Sequence, residues 1–206
     1  MTQVFLINSK GGCGKTLLAV HIAAYLAKSG FRTALVDHDP QLSALDWFKC
    51  RPDTCAPITV YAGFTNEVLS TNFDYVVHDM PAASEIGALQ PYGQLGDKLI
   101  IPILPSPTDI KASVRFLMAV NRHPWFKQSG ILPGLVANRV KKHTNYYKTL
   151  TAFLAHVNMP LLASLRETEN YNKALENGIS IFDLPPSRVT TDQTQWRPIL
   201  NWLQSQ

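Results

Sequence analysis

The apolar positions of this chain gather into short runs that are hydrophobic almost throughout. Between them lie stretches where apolar residues recur at helical spacing. The runs are Val4–Asn8, Thr33–Asp37, Ile58–Ala62, Tyr75–Asp79, Lys98–Ile103, Gly134–Asn138 and Leu161–Leu165. Their length and lack of alternation predict strands buried on both faces. Leu18, Ile22, Tyr25 and Leu26 share one helical face, with Gly30 as the stop, and Asp109–Asn121 and Asn145–Val157 are amphipathic in the same way. Strands of this kind alternating with helices require a sheet covered on both sides. The expected fold is α/β: a single doubly wound, mostly parallel sheet with helices on both faces.

Composition narrows this little, but it excludes several classes. The 206 residues hold no internal repeat, low-complexity tract or linker, so a single domain over 1–206 is expected. No apolar run is long enough to span a membrane, and the N-terminal apolar stretch is too short for a secretory leader. Cys13, Cys50 and Cys55 are odd in number and lack metal-ligand spacing, which fits free thiols in a reducing cytoplasm. Charge is uneven. Residues 1–98 carry seven Lys/Arg against nine Asp/Glu (−2), and residues 99–206 carry twelve against six (+6). A basic C-terminal half points toward a polyanion.

Ligands of open α/β sheets bind at the carboxyl ends of the strands. The unusual polar residues of this chain fall there: Lys10–Thr16, Asp37, Asp39, Asp79 and Asn138. In "NSKGGCGKT", Gly11, Gly12 and Gly14 let backbone N–H groups converge on a phosphate at a helix N-terminus. Lys15 would meet the β- and γ-phosphates, and the Thr16 hydroxyl would meet Mg²⁺. The strict G-x4-G-K-[ST] pattern needs glycine where Ser9 stands. Spacing alone leaves Lys10 unexplained.

"KGGCGKT" resembles the deviant Walker A motif of the ParA/MinD family of P-loop ATPases, whose early lysine reaches the nucleotide of a second subunit. The resemblance implies that role for Lys10, with Lys15 as the resident lysine of the loop. It implies nucleotide contacts from Gly11, Gly12, Cys13, Gly14, Lys15, Thr16 and Leu17. "LVDHDPQ" is similar to the family's second motif, which gives Asp37 the support of the magnesium shell and Asp39 the attacking water. "FDYVVHDMPA" resembles a Walker B strand, making Asp79 a magnesium carboxylate. "IIPILPSPTDI" resembles the family's Pro-rich turn, "VANRV" the strand end where Asn138 would meet adenine, and Arg166–Leu184 the segment that closes over the base. ATP and Mg²⁺ are the implied cofactors, and an ATP-bound homodimer is the implied assembly. His38 and His78 stand beside these aspartates, but strand alternation turns them away, so both read as structural.

Family members grip different partners. ParA-type proteins bind nonspecific DNA and position a cargo along the nucleoid, with a cargo-bound adaptor that stimulates ATP hydrolysis. MinD-type proteins bind membranes through a basic amphipathic tail. The tail "QWRPILNWLQSQ" has an apolar helical face but only Arg197 as a cation, which predicts a helix docked on its own core and makes a membrane partner unlikely. Arg139, Lys141, Lys142, Lys148 and Arg166 suit phosphate contacts without base reading. With the chain starting at its first strand, there is no room for an N-terminal helix-turn-helix. The expectation is a small ParA-type partitioning ATPase, cytoplasmic and nucleoid-associated. The alternatives are a MinD-like membrane-associated protein and a small-molecule ATP-dependent enzyme on the same scaffold.

Overall fold

The computed structural model describes residues 1–63 and 72–205. Seven strands form one sheet: β1 (Thr2–Leu6), β2 (Thr33–Asp37), β3 (Thr59–Ala62), β4 (Tyr75–Asp79), β5 (Lys98–Ile103), β6 (Leu132–Val140) and β7 (Leu161–Arg166). Their order is β3-β2-β4-β1-β5-β6-β7 and every pairing is parallel, so the sheet is wholly rather than mostly parallel.

The helices are α1 (Lys15–Lys28), α2 (Ser43–Lys49), α3 (Pro107–Arg122), α4 (Pro124–Ser129), α5 (Asn145–Leu154), α6 (Glu169–Glu176) and α7 (Pro186–Leu203). Alternate residues of β1 enter opposite cores. Val4 and Leu6 join the layer built with α1, α2, α6 and α7, while Phe5 and Ile7 join the layer of α3, α4 and α5. This two-sided burial is why the central strands read as continuous apolar runs. The run at Ile58–Ala62 departs from that rule. β3 is an edge strand, and its four residues are exposed or half-buried.

The terminal helix docks as its spacing predicts. Trp196, Ile199, Leu200 and Leu203 are buried, and the Trp196 Nε1–H donates to the Tyr171 hydroxyl at 3.0 Å. Pro198 sits inside this helix without ending it. No helix among the described residues is long and apolar enough to cross a membrane. The three cysteines are free thiols, as expected.

Candidate nucleotide site

The topology places the chain reversal around β1, between β4 and β5, at the centre of the sheet. The loop leaving β1 is held from below by Asn8, whose Nδ2 donates to the Pro102 carbonyl at 2.6 Å and whose Oδ1 accepts from the Lys10 N–H at 3.1 Å. Gly12 (φ 75°) and Gly14 (φ 97°) adopt left-handed backbone that other residues resist, which lets the loop curl over the start of α1. The result is a cleft of about 740 Å³ lined by Gly11, Gly12, Gly14, Lys15, Thr16, Leu17, Asp39, Gln41, Pro81 and Arg139. The first-turn N–H groups of α1 have no helical acceptors, and they form an anion site.

The two lysines of this loop have different positions. Lys15 is only 7% exposed, and its Nζ lies 3.5 Å from the Lys10 carbonyl, inside the cleft. The Lys10 side chain is exposed, does not line the cleft and has no ionic partner among the described residues.

Asp37 and Asp79 are register partners at the ends of β2 and β4, and both are 1% exposed. Neither oxygen of Asp79 has a well-formed hydrogen bond. Burial raises its pKa to about 7, opposed by the nearby Thr16 hydroxyl and reinforced by the negative charge of Asp37. A buried, orphaned carboxylate beside the loop threonine fits a divalent cation, because bound charge would repay its desolvation. Among the described residues no group of three or more His, Cys, Asp or Glu could hold a metal. A cation here would therefore depend on Asp79, Thr16 and nucleotide phosphates.

Asp37, expected to support the magnesium shell, is held by backbone amides. Its Oδ1 accepts from the Asp39 N–H at 3.1 Å, and its Oδ2 accepts from the N–H groups of Ala44 at 2.9 Å and Leu45 at 3.1 Å. The carboxylate thereby organises residues 38–45 and fixes the base of the Asp39 loop. Burial pushes its pKa up, against the pull of those three amides. Asp39 is half-buried and lines the cleft, with Oδ1 accepting from the Gln41 N–H at 2.9 Å.

His38 and His78 form a hydrogen-bonded pair 3.0 Å apart, and His78 Nε2 lies 3.0 Å from Gln3 Oε1. The Gln3 amide nitrogen faces the Asp97 carboxylate and the Tyr92 carbonyl, so its oxygen must face His78. His78 therefore donates from Nε2, and His38 donates to it. Both pKa values are lowered, chiefly by burial, in keeping with a structural role.

Asn138 is buried against the phosphate loop. Its Nδ2 donates to the Cys13 carbonyl at 2.9 Å, and its Oδ1 accepts from the Arg139 N–H at 2.9 Å. It also borders a smaller cavity of about 130 Å³, with Leu17, Tyr171 and Asn172. Its amide is thus partly engaged by the protein, and the adenine contact expected of it would use the second N–H or the remaining lone pair.

The five basic residues predicted to meet DNA differ in their surroundings. Arg139 lines the nucleotide cleft. Arg166 is drawn to Asp192, which is fully buried, with Nε–Oδ1 at 2.5 Å and Nη2–Oδ2 at 3.1 Å. Lys141 pairs with Glu167 at 2.7 Å. Lys142 and Lys148 are exposed without an ionic partner among the described residues, as is Arg139. Spacing along the chain could not reveal these pairings, because Asp192 lies 26 residues from Arg166.

A family model described as the CobQ/CobB/MinD/ParA nucleotide binding domain matches residues 4–181. The chain belongs to this family. It is 30% identical over 190 residues to the Maintenance of carboxysome distribution protein A of Halothiobacillus neapolitanus, covering 86% of this chain and 85% of that protein. In fold it is similar to apo McdA of Cyanthece (TM-score 0.77, 18% identity, 98% of this chain and 99% of that one). It is also similar to a candidate plasmid partition protein of Borrelia burgdorferi B31 bound to AMPPNP (TM-score 0.71, 17% identity, 97% and 98%). Within the ParA/MinD family frame, sequence reasoning located the phosphate loop, Asp39 and Asp79. It missed Arg139 as a cleft residue; the left-handed backbone of Arg139 (φ 51°) is not announced by its spacing in the chain.

Proposed function

We propose that this chain is a ParA-like ATPase whose nucleotide state sets its assembly state, and that the assembled form positions a cargo on nonspecific DNA. The observation that carries the reading is the contrast between the two loop lysines. Lys15 lies in its own cleft, whereas Lys10 stands outside it with no counter-charge among the described residues. An ammonium so placed is available to the triphosphate of a second copy, as an arginine finger is. ATP would then join two subunits, because Lys10 finds its partner only in the pair.

Mg²⁺, held by Thr16 and Asp79, would neutralise the β- and γ-phosphate oxygens. Lys15 binds the same phosphates, and the free N–H groups of α1 receive them. Asp39, fixed through the Asp37 carboxylate, orients a water against the γ-phosphorus. As the new P–O bond forms, the bond to the β–γ bridging oxygen breaks, giving ADP and phosphate. Lys10 then loses the charge that held it, and the pair separates. The similarity to a carboxysome distribution protein supports a positioning role for the hydrolysis cycle. By the same family logic, an adaptor on the cargo would accelerate turnover.

The deciding experiment is Lys10→Ala, followed by light scattering with ATP and with ADP. The variant should keep monomeric ADP binding and lose the ATP-driven dimer. An unchanged dimer would remove the reading's foundation.

A further inference from the structure

Arg139 combines three observations that the cycle above does not use. It is one of three non-glycine residues with left-handed backbone among the described residues, with Leu42 and Ala83, and it adopts this conformation near the end of β6. Such a conformation costs about 1–2 kcal/mol for a side chain with a Cβ, and strain of this kind persists where the surroundings impose it. Here the imposing contact is visible. The Arg139 N–H is held by Asn138 Oδ1, and Asn138 is in turn bonded to the Cys13 carbonyl of the phosphate loop. The β6–β7 register shifts between Ala137 and Val140, which frees the residue from the ladder.

Its location is the second observation. Arg139 lines the phosphate cleft and also the small cavity beside Tyr171 and Asn172. A nucleotide running from Lys15 to that cavity must pass it at the sugar and the first phosphate. The third observation is charge. The residue is exposed, and its guanidinium has no ion pair or side-chain hydrogen bond among the described residues, unlike its neighbours Lys141 and Arg166.

We propose that Arg139 is a nucleotide-binding residue whose guanidinium contacts the ribose and α-phosphate of a nucleoside di- or triphosphate held in its own chain. The inference rests on the nucleotide-binding reading of the cleft. It separates Arg139 from Lys10, because the α-phosphate is present in ADP as well as ATP. The bonded chain from Cys13 through Asn138 ties the Arg139 backbone to the phosphate loop.

The test uses Arg139→Gly, Arg139→Ala and Arg139→Lys in the full chain, with ADP affinity and thermal unfolding of the nucleotide-free protein measured for each. Glycine adopts this backbone freely, so Arg139→Gly should unfold at or above the wild-type temperature. Its ADP affinity should nevertheless fall by roughly ten- to a hundred-fold, the range for losing a charge-assisted hydrogen bond. Arg139→Ala should lose affinity equally, and Arg139→Lys should recover part of it. Wild-type ADP affinity in the glycine and alanine variants overturns the inference while leaving the cleft assignment intact. Failure of the unmodified chain to bind ADP overturns both.

Discussion

Asn138 Nδ2 lies 2.9 Å from the Cys13 carbonyl, across 125 residues of chain, and the same nitrogen would sit 2.2 Å from a Cβ placed on Gly14. The end of β6 therefore packs directly on the phosphate loop, and the loop's curvature depends on a side chain that belongs to another strand. Gly14 is needed twice, for its φ of 97° and for this close approach.

Gly14→Ala should accordingly reduce both stability and nucleotide binding. Overpacking against a buried amide typically costs about 1–3 kcal/mol, to which the left-handed backbone adds about 1–2 kcal/mol. Urea unfolding of the nucleotide-free protein reads the sum. A variant as stable as the wild type would show that Asn138 moves aside freely.

Asp39→Ala should leave ATP binding and dimer formation in place while slowing hydrolysis, because Asp39 acts on the water and Lys15 on the phosphates. Phosphate release and light scattering on the same sample check this. Turnover at the wild-type rate would remove Asp39 from the chemistry.

Arg166→Ala should act on stability rather than on DNA. Removing one partner of a buried ion pair costs about 3–5 kcal/mol, and the partial exposure of Arg166 lowers the expectation to about 2–3 kcal/mol. Asn170 Nδ2, at 2.8 Å, remains on Asp192 as partial compensation. Chemical denaturation measures the loss. Normal stability with weakened DNA retention would return Arg166 to the DNA surface.

Lys142 and Lys148 are exposed members of the predicted DNA-binding set and have no ionic partner among the described residues. If each neutralises one phosphate, the double alanine variant should flatten the log–log salt dependence of DNA affinity by about 1.8, at about 0.9 per contact. Titrations at three salt concentrations suffice. An unchanged slope would move the contact to other cations.

His21 predicts a pH dependence of stability. It is fully buried among Leu17, Tyr171 and Trp196, its Nδ1–H donates to the Leu17 carbonyl at 2.8 Å, and Nε2 has no partner among the described residues. Burial lowers its pKa from 6.5 to about 4. The unfolded chain takes up a proton below pH 6.5 and the folded chain only near pH 4. Stability is therefore complete above that window and falls as pH drops through it, by about 3 kcal/mol at about 1.4 kcal/mol per unit. His21→Phe should remove this part of the acid sensitivity in thermal unfolding between pH 7 and pH 4.

What could be read without coordinates was local in origin. Hydrophobic period follows from whether a segment is covered on one face or two, so the order of strands and helices stood in the chain, as did the phosphate loop, whose glycines and Lys15 act within seven residues. Asp39 and Asp79 were legible for the same reason, as polar residues at the tips of apolar strands. Tertiary structure decided which charges are already answered. Arg166 meets Asp192, Lys141 meets Glu167 and Asp37 meets three amides, whereas Lys10, Lys142 and Arg139 have no such partner among the described residues. Electrostatic pairing depends on distance in space, which the order of residues does not encode until the sheet brings distant strand ends together.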